Sequence, residues 1–272
     1  MVATKTDVVF IQEKEFEKNI CEIELHPERV RVNSSEMIRV AQVIWSGNFG
    51  GIEKLAIDLC AAQKNNSELE VELIVAKKEG TYLEKIVARN IRHHFAGLKN
   101  GFDFSFSKYK NLKKIFSKAD IIHFHFFNLL MAHAAVRSGK KIVYTEHGNF
   151  GFGRKKKITD RLNYFLLGRF LRKHVDYISF NSRFTEAIAR KRYSLENKKC
   201  EVVYNGVDFS DTSSEESADH ELKKQLEGKF VVGTSSRLAG FKRIDRLLKS
   251  FAEFQHKKNT VLVVVGEGVL RH

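Results

Sequence analysis

Short apolar runs alternate with longer amphipathic segments along most of this 272-residue chain, and this rhythm restricts the fold more than any other feature. The apolar runs span about 4–8 residues, a length typical of strands that are buried on both faces of a sheet. In the segments between them, apolar residues recur every three or four positions, as they do in helices that pack on a sheet. The pattern therefore predicts an α/β fold in which helices cover both faces of a parallel sheet.

The same pattern assigns the individual elements of the first part of the chain. Strands are predicted at 38–45, 71–76, 120–127, 141–145, 177–181 and 201–204, and helices at 51–63, 81–89, 128–138, 157–174 and 183–193. This order predicts a Rossmann-like domain over residues 37–208. Residues 1–36 lack the rhythm and the features of a signal peptide, and they are interpreted as an N-terminal extension.

The chain changes character after this domain. Residues 209–228 are rich in serine and acidic residues and are predicted to form a linker. The rhythm then restarts with a strand, a loop, a helix and a strand, at 229–234, 235–242, 244–256 and 260–265. Because two strands and one helix cannot bury a parallel sheet, residues 229–272 are interpreted as the incomplete start of a second Rossmann-like domain.

Composition excludes several classes of protein. Apolar residues make up 43% of the chain, which is enough for a packed core and excludes wholesale disorder. Three scattered cysteines are too few for a disulfide scaffold or a zinc ribbon, and they indicate a reducing compartment. The longest apolar run, 121–136, contains three histidines and is too short and too polar for a membrane-spanning helix. We therefore expect a cytoplasmic protein.

The excess of positive charge, +14 overall, is concentrated in one segment. Residues 154–199 contain 14 basic and 4 acidic residues, and Arg154, Lys155, Lys156 and Lys157 stand at its start. A basic cluster followed by an apolar stripe is typical of a helix on an anionic membrane surface. The other interpretation is a helix packed on the sheet with a solvated basic edge. No nucleic-acid-binding motif accompanies the charge, so we expect no nucleic-acid partner.

The first predicted strand leads into a glycine-containing turn, SGNFGGIE, at 46–53. Gly50 and Gly51 stand directly before the helix, where backbone amides and the helix N-terminus favour an anion. The spacing is not the GxGxxG of dinucleotide-binding domains. A phosphate-binding turn and a tight turn without a ligand therefore both remain open.

Histidines occur near the ends of two predicted strands. His123 and His125 lie two positions apart, but no third ligand stands at metal spacing, so they are interpreted as packed histidines near a cleft. His147 follows strand 141–145 directly, at the sheet edge where open α/β sheets bind ligands. The neighbouring Glu146 is expected to hold the pKa of this imidazole near neutral pH. From its position alone, a functional and a structural role both remain open for His147.

The loop that follows the first strand of the second unit contains Arg237 and Lys242. A guanidinium fork and an ammonium group at the carboxyl end of a parallel strand can clamp a diphosphate. This position favours a binding role over that of ordinary surface side chains.

Taken in order, these segments resemble the retaining glycosyltransferases of family 4, which have the two-domain GT-B fold. The first domain carries GGIE at 50–53, DIIHFH at 120–125, TEHG at 145–148 and NGVD at 205–208. The second unit carries SRL at 236–238 with Lys242, and VGEG at 265–268. The resemblance covers residues 37–272.

The resemblance implies transfer of a hexosyl group from a nucleotide diphosphate sugar to an acceptor hydroxyl, with retention of configuration and without a metal or other cofactor. It implies that Gly50, Gly51, Arg237 and Lys242 contact the donor phosphates and that His147 is the catalytic residue beside the reacting sugar. Fixed cations and amides would stabilise the diphosphate as it leaves. The implied acceptor is a bacterial cell-envelope glycan or a lipid-linked molecule, as in lipopolysaccharide or polysaccharide biosynthesis. The enzyme would then be peripheral at the inner face of the plasma membrane.

The chain departs from the family pattern in one serious respect, besides a smaller one at Val269, where the family often has proline. Family members continue with base and ribose contacts and a Glu-x7-Glu motif beyond the point that corresponds to His272. We therefore expect a truncated enzyme that does not transfer sugar by itself. The alternative is a non-catalytic module, derived from such an enzyme, that binds the acceptor or the membrane surface.

Overall fold

The computed structural model describes residues 37–48, 50–80, 82–148, 158–206, 224, 226–236, 238–254, 259–266 and 268. The first unit contains strands β1 Ile38–Ile44, β2 Leu69–Val75, β3 His93–Phe95, β4 Ile121–Phe124, β5 Lys141–Glu146, β6 Tyr177–Phe180 and β7 Cys200–Val202. Its helices are α1 Gly51–Lys64, α2 Leu83–Ala88, α3 Phe106–Phe116, α4 Leu129–Val136, α5 Ile158–His174 and α6 Arg183–Tyr193.

The strands form one seven-stranded sheet in the order β3-β2-β1-β4-β5-β6-β7. All six strand pairs are parallel, with Val40 of β1 beside both Val71 of β2 and Ile121 of β4. The α/β class and the Rossmann-like parallel sheet predicted from the sequence are confirmed.

Two elements, β3 and α3, were not predicted. Strand β3 has only three residues, which is too short for a periodic signal. Helix α3 is rich in lysine and buries only Leu112 and Phe116, so its apolar period is weak. The Ser105 side chain accepts a hydrogen bond from the Lys108 N–H and caps this helix, which is the local signal that marks its start.

Side chains of the central strands point alternately into two separate apolar cores. Leu73 and Val75 of β2 pack with α1 and α2, whose buried residues include Ile57 and Ile86. Ile74, between them in the strand, belongs to the other core, which includes residues of helices α3 to α6. Because both faces are covered in this way, apolar residues predominate in the central strands, with few polar interruptions.

Helix α5 packs on the sheet only along its second half. Leu167, Phe170 and Leu171 are buried there, while the large apolar residues of the first half are exposed, namely Ile158, Leu162 and Phe165. The apolar stripe predicted along this helix is therefore divided between a core contact and an uncovered surface. Among the helices that the structure describes, none is both long enough and apolar enough to cross a membrane.

The second unit contains a two-stranded parallel sheet, formed by β8 Phe230–Ser235 and β9 Thr260–Val265, and helix α7 Ile244–Glu253. A short 3-10 turn, Gly240–Lys242, precedes the helix. None of the residues described in this unit is buried. Most of the linker predicted at 209–228 lies outside the described residues, so the division into domains stays a prediction.

Candidate active site

The strand order of the first sheet reverses between β1 and β4. In open α/β sheets such a reversal leaves a crevice at the carboxyl ends of the strands, where ligands bind. The segments that follow β1, β4 and β5 carry Gly50 and Gly51, His125, and His147. The fold therefore places these predicted features at the edge of the sheet where a ligand site is expected.

The turn after β1 leaves helix α1 without a side-chain cap. Gly50 is the N-cap residue, in an extended conformation, and its carbonyl accepts a hydrogen bond from the Lys54 N–H at 2.9 Å. A Cβ added to Gly51 would meet no atom within 4 Å. Helix α1 thus begins without a side-chain cap from Gly50 and with open space around Gly51, as a helix terminus that binds an anion does.

A third glycine holds this turn against the next loop. Gly80 has a φ of +117°, and a Cβ at this position would lie 2.0 Å from the carbonyl carbon of Gly47. The Gly47 N–H donates to the Glu79 carbonyl at 2.8 Å, and the Gly47 carbonyl accepts from the Tyr82 N–H at 2.8 Å. The loops after β1 and β2 are therefore joined backbone to backbone, and only glycine fits at position 80.

Three histidines meet in the crevice. The rings of His123 and His125 lie 4.3 Å apart between centroids, and those of His125 and His147 lie 5.4 Å apart. His125 Nδ1 lies 3.1 Å from His147 Nε2, and His123 Nε2 lies 2.7 Å from Thr145 Oγ1. Within the described part of the chain, no cluster of histidine, cysteine and acidic side chains is arranged to hold a metal ion.

Burial keeps these imidazoles neutral. Loss of water lowers the pKa of His147 to about 4. The same cause, with the charge of neighbouring histidines second, lowers the pKa of His123 to about 3 and places that of His125 well below its usual value. The expectation that Glu146 holds His147 near neutral pH is therefore wrong, because desolvation dominates.

Glu146 has a structural contact instead. This buried carboxylate accepts a hydrogen bond from the Gly148 N–H at 3.0 Å. The Asn181 side-chain amide donates to the carbonyl of His147 at 3.3 Å, and Asn181 in turn accepts from the Thr185 hydroxyl at 2.8 Å. The peptide group that joins His147 to Gly148 is thus fixed by side chains from β5 and from the segment after β6.

A cavity of about 240 Å³ opens beside the histidines, lined by residues that include Ile52, His125, Glu146, His147 and Tyr193. It brings the start of α1 and the ends of β4 and β5 to one space. An apolar groove of about 560 Å³ shares Phe126, Phe127, Asp160 and Asn163 with it and is otherwise lined mainly by aromatic and aliphatic residues. The polar cavity and the apolar groove therefore form one continuous surface along the crevice.

The other predicted site residues lie elsewhere. Lys242 ends the 3-10 turn of the second unit and is exposed, with its Nζ 5.7 Å from the ring centroid of Phe241. Arg237 lies outside the described residues, as do Arg154, Lys155, Lys156 and Lys157. The binding roles of these residues stay predictions.

The loop that follows β8, which leads to Lys242, contacts the loop that follows β9. The Ser236 N–H donates to the Val265 carbonyl at 2.9 Å. A Cβ on Gly266 would lie 1.9 Å from the Ser236 carbonyl oxygen, so the glycine of the VGEG motif is required by backbone contact.

Two glutamines of the site were not anticipated. Gln42 is fully buried in β1, where its amide oxygen accepts from His125 Nε2 at 2.8 Å and its amide nitrogen donates to the Gln63 side chain at 2.9 Å. The signal in the sequence is a polar residue in the middle of the apolar run IRVAQVI. A buried amide of this kind requires partners, and these partners lead toward the crevice.

Comparison with known proteins finds a family match that spans most of these residues. The sequence pattern of Glycosyltransferase Family 4 matches residues 49–211 of this chain. This range includes Gly50 and Gly51 of the turn after β1 and all three histidines. The N-acetylgalactosamine-N,N'-diacetylbacillosaminyl-diphospho-undecaprenol 4-alpha-N-acetylgalactosaminyltransferase of Campylobacter jejuni is 30% identical over 117 residues, or 43% of this chain and 30% of that enzyme.

Solved structures show the same fold. HepE of Anabaena in complex with UDP has a TM-score of 0.63 at 17% identity, over 86% of this chain and 62% of that chain. A glycosyltransferase of Rickettsia africae has a TM-score of 0.61 at 16% identity, over 85% of this chain and 60% of that chain. The chain thus spans 30% of the length of its curated relative and about three fifths of each solved enzyme. Since the family description covers more than half of its residues, the chain belongs to Glycosyltransferase Family 4.

Proposed function

We propose that this chain is part of an enzyme that moves a hexosyl group from a nucleotide diphosphate sugar to a cell-envelope glycan or a lipid-linked acceptor. The observation that carries the proposal is the cavity beside His147, which lies at the reversal of strand order within the family-matched domain. HepE, which shares the fold, was solved with UDP, and this supports a nucleotide sugar as donor.

The proposed reaction needs stabilisation of a diphosphate leaving group. The uncapped N-terminus of α1 at Gly50 and Gly51 offers backbone N–H groups, and Arg237 and Lys242 would add two cations from the second unit. Such fixed donors are effective because they do not reorganise as charge develops. We infer that these groups do the work without a metal ion and that the sugar keeps its anomeric configuration, as the family resemblance implies.

His147 is proposed to contact the reacting sugar. It lines the cavity, its main chain is held by Asn181, and its imidazole is neutral at physiological pH. A neutral imidazole can accept or donate a hydrogen bond to a sugar hydroxyl without bringing a charge into the cavity.

The apolar groove supports an acceptor with a lipid portion. It runs from the cavity beside Trp45, Phe102 and Phe104 to the first half of α5. The Campylobacter relative carries a diphospho-undecaprenol in its name, and this chain would act on a similar class of molecule at the inner face of the plasma membrane. The basic residues 154–157 would then face the acceptor diphosphate or anionic lipid.

We further propose that the 272-residue chain does not transfer sugar alone. The second unit has a two-stranded sheet and no buried residue among those described, so it offers no enclosed site for the nucleoside. This leaves the diphosphate contacts without a base-binding pocket, and donor affinity is expected to be low.

A transfer assay tests these proposals. The purified chain, and a version extended by a complete donor domain, are incubated with radiolabelled UDP-sugars and undecaprenyl diphosphate-linked glycans. The extended version is expected to transfer sugar in the presence of EDTA and to form a product with the donor's anomeric configuration, whereas the chain alone is inactive. Transfer by the chain alone contradicts the proposed inactivity, and no transfer by the extended version with any donor contradicts the enzyme proposal. Inversion or EDTA inhibition contradicts only the mechanism.

The exposed half of α5 favours a second candidate, a non-catalytic module that binds the acceptor or a membrane surface. The two candidates differ in the extended version. A module binds lipid-linked glycan but stays inactive with a complete donor domain, whereas the enzyme becomes active.

A further inference from the structure

Four side chains form a hydrogen-bonded relay that ends at His147. Gln42 Nε2 donates to Gln63 Oε1 at 2.9 Å, His125 Nε2 lies 2.8 Å from Gln42 Oε1, and His147 Nε2 lies 3.1 Å from His125 Nδ1. Gln42 is fully buried and His125 is 3% exposed, so water does not compete for the bond between them. The relay crosses from α1 through β1 and β4 to the end of β5.

The relay has one direction of donation in this structure. Because the amide nitrogen of Gln42 faces Gln63, its oxygen faces His125 and can only accept. His125 must therefore carry its proton on Nε2. Since burial keeps His125 neutral, its Nδ1 is bare and accepts from Nε2–H of His147. Each hydrogen bond fixes the next one, so the orientation of the Gln42 amide determines which ring nitrogen of His147 is protonated.

The result is a defined tautomer of His147. With Nε2 protonated, its Nδ1 carries a lone pair, and no hydrogen bond to Nδ1 is found among the described residues. The main chain is held separately, by Asn181 and through the Glu146–Gly148 bond. The orientation and the proton of the ring therefore depend on the relay, while the position of the residue does not.

We propose that Gln42 and His125 are positioning residues that hold His147 in the Nε2–H tautomer, so that its Nδ1 accepts a hydrogen bond from a hydroxyl of the bound sugar. A bare nitrogen pairs with a hydroxyl and repels a carbonyl or phosphate oxygen, so the relay selects the sugar over the diphosphate at this point of the cavity. The hydroxyl as ligand rests on the proposed function, whereas the tautomer does not.

The tautomer is measured directly by long-range ¹H–¹⁵N NMR of the ¹⁵N-histidine-labelled chain near pH 7, with His147 assigned from the His147→Asn spectrum. The wild type is expected to show His147 and His125 protonated on Nε2. Gln42→Leu removes the acceptor of His125 and is expected to raise the share of Nδ1–H His147 about tenfold or more, the scale of one unmade buried hydrogen bond.

Two further variants keep the test decisive. Gln63→Leu, at a partly exposed position of α1, frees the Gln42 amide to turn without changing the core, and it is expected to raise the same share by a smaller factor. Ser179→Ala is the matched control, because it breaks the neighbouring Thr145–Ser179 bond of 2.6 Å, which is separate from the relay, and it should leave His147 unchanged.

Protonation of His147 on Nδ1 in the wild type overturns the proposal. So does a tautomer ratio that neither glutamine variant alters, or one that Ser179→Ala alters equally. The NMR spectrum requires no substrate, so a failure of the transfer assay does not contradict the relay. Conversely, an unexpected tautomer of His147 does not contradict the proposed transfer reaction.

Discussion

At the scale of single residues, three imidazoles that would ordinarily titrate near pH 6.5 share one dehydrated site. Each is kept neutral by burial, and neutral partners such as the Gln42 oxygen and the Thr145 hydroxyl supply no negative charge to offset a proton. Below about pH 6.5, neutrality is therefore a property of the folded state alone, and it couples protonation to unfolding.

The first prediction concerns stability and pH. Because the folded-state pKa values of His147 and His123 are about 4 and about 3, below the value near 6.5 of an unfolded chain, protons bind the unfolded state preferentially between these limits. Stability is fully present above pH 6.5 and is lost as the pH falls toward 4. The loss approaches about 1.4 kcal/mol per pH unit for each histidine.

Urea unfolding between pH 7 and pH 4.5 measures this slope, most cleanly above about pH 5.5, where ordinary carboxylates stay ionised. His147→Asn is expected to reduce it, whereas His133→Gln, on the exposed side of α4, is not. A stability that stays level from pH 6.5 to 4.5 would show that the histidines are not held neutral.

The second prediction concerns Gly80. Alanine there must relieve both a φ of +117° and a contact of 2.0 Å with the backbone of Gly47. Gly97 has a φ of +68° but no atom within 4 Å of an added Cβ, so Gly97→Ala isolates the backbone strain. We expect Gly80→Ala to lower the free energy of unfolding by about 2 kcal/mol more than Gly97→Ala, by denaturant titration. Equal losses would mean that the two loops separate at little cost.

At the scale of elements, helix α5 serves two surroundings at once. Its second half is a core helix, and its first half presents large apolar side chains that nothing in the described residues covers. The alternative interpretation of this segment is a helix with a solvated basic edge. It does not explain why the apolar side chains of Leu162 and Phe165 are exposed beside the apolar groove. An apolar surface of this kind is more typical of a binding site.

The third prediction tests this surface by flotation with vesicles. The wild-type chain is expected to float with phosphatidylglycerol-containing vesicles and less with pure phosphatidylcholine, because charge and apolar contact act together. Leu162→Asp with Phe165→Asp should reduce the bound fraction about tenfold or more. Val87→Asp, at a side chain 65% exposed on α2, is the control. If both variants float as the wild type does, the first half of α5 is not a membrane surface.

The elements also show which strands and helices the sequence can predict. Strands β1, β2, β4 and β5 were predictable because their side chains contribute to the cores, which leaves a largely apolar run. Strand β3 and helix α3 bury too little to leave such a pattern. Periodicity detects burial, and so it fails wherever an element lies at the edge of the core.

The residues of the site likewise differ in how well the sequence predicts them. The positions of His147 and of the turn after β1 follow from topology, since any loop at the carboxyl end of a central parallel strand reaches the crevice. The error over Glu146 arose because sequence adjacency suggests a charge pair, whereas the folded carboxylate bonds to Gly148 and desolvation sets the pKa of the imidazole. The role of Gln42 depends on contacts across 83 positions of chain, which no local pattern contains.

At the scale of the whole molecule, the two units differ in how far their described residues are buried. The first has a covered sheet, two apolar cores and a formed crevice. The second has a strand pair and a helix whose described residues are all at least partly exposed. The proposed acceptor site thus lies in the covered first unit, whereas the proposed diphosphate contact Lys242 lies in the exposed second unit.

The strand order has a consequence for how the protein is made. Strand β1 lies near the centre of the sheet, yet it pairs on one side with β4, and the Arg39 N–H donates to Asp120 across 81 positions of chain. On the ribosome, the side of β1 that faces β4 must therefore wait unpaired until those later residues emerge. A parallel sheet closed over such distances folds slowly and exposes strand edges meanwhile. The order that creates the crevice therefore also leaves one edge of β1 exposed while the chain is being made.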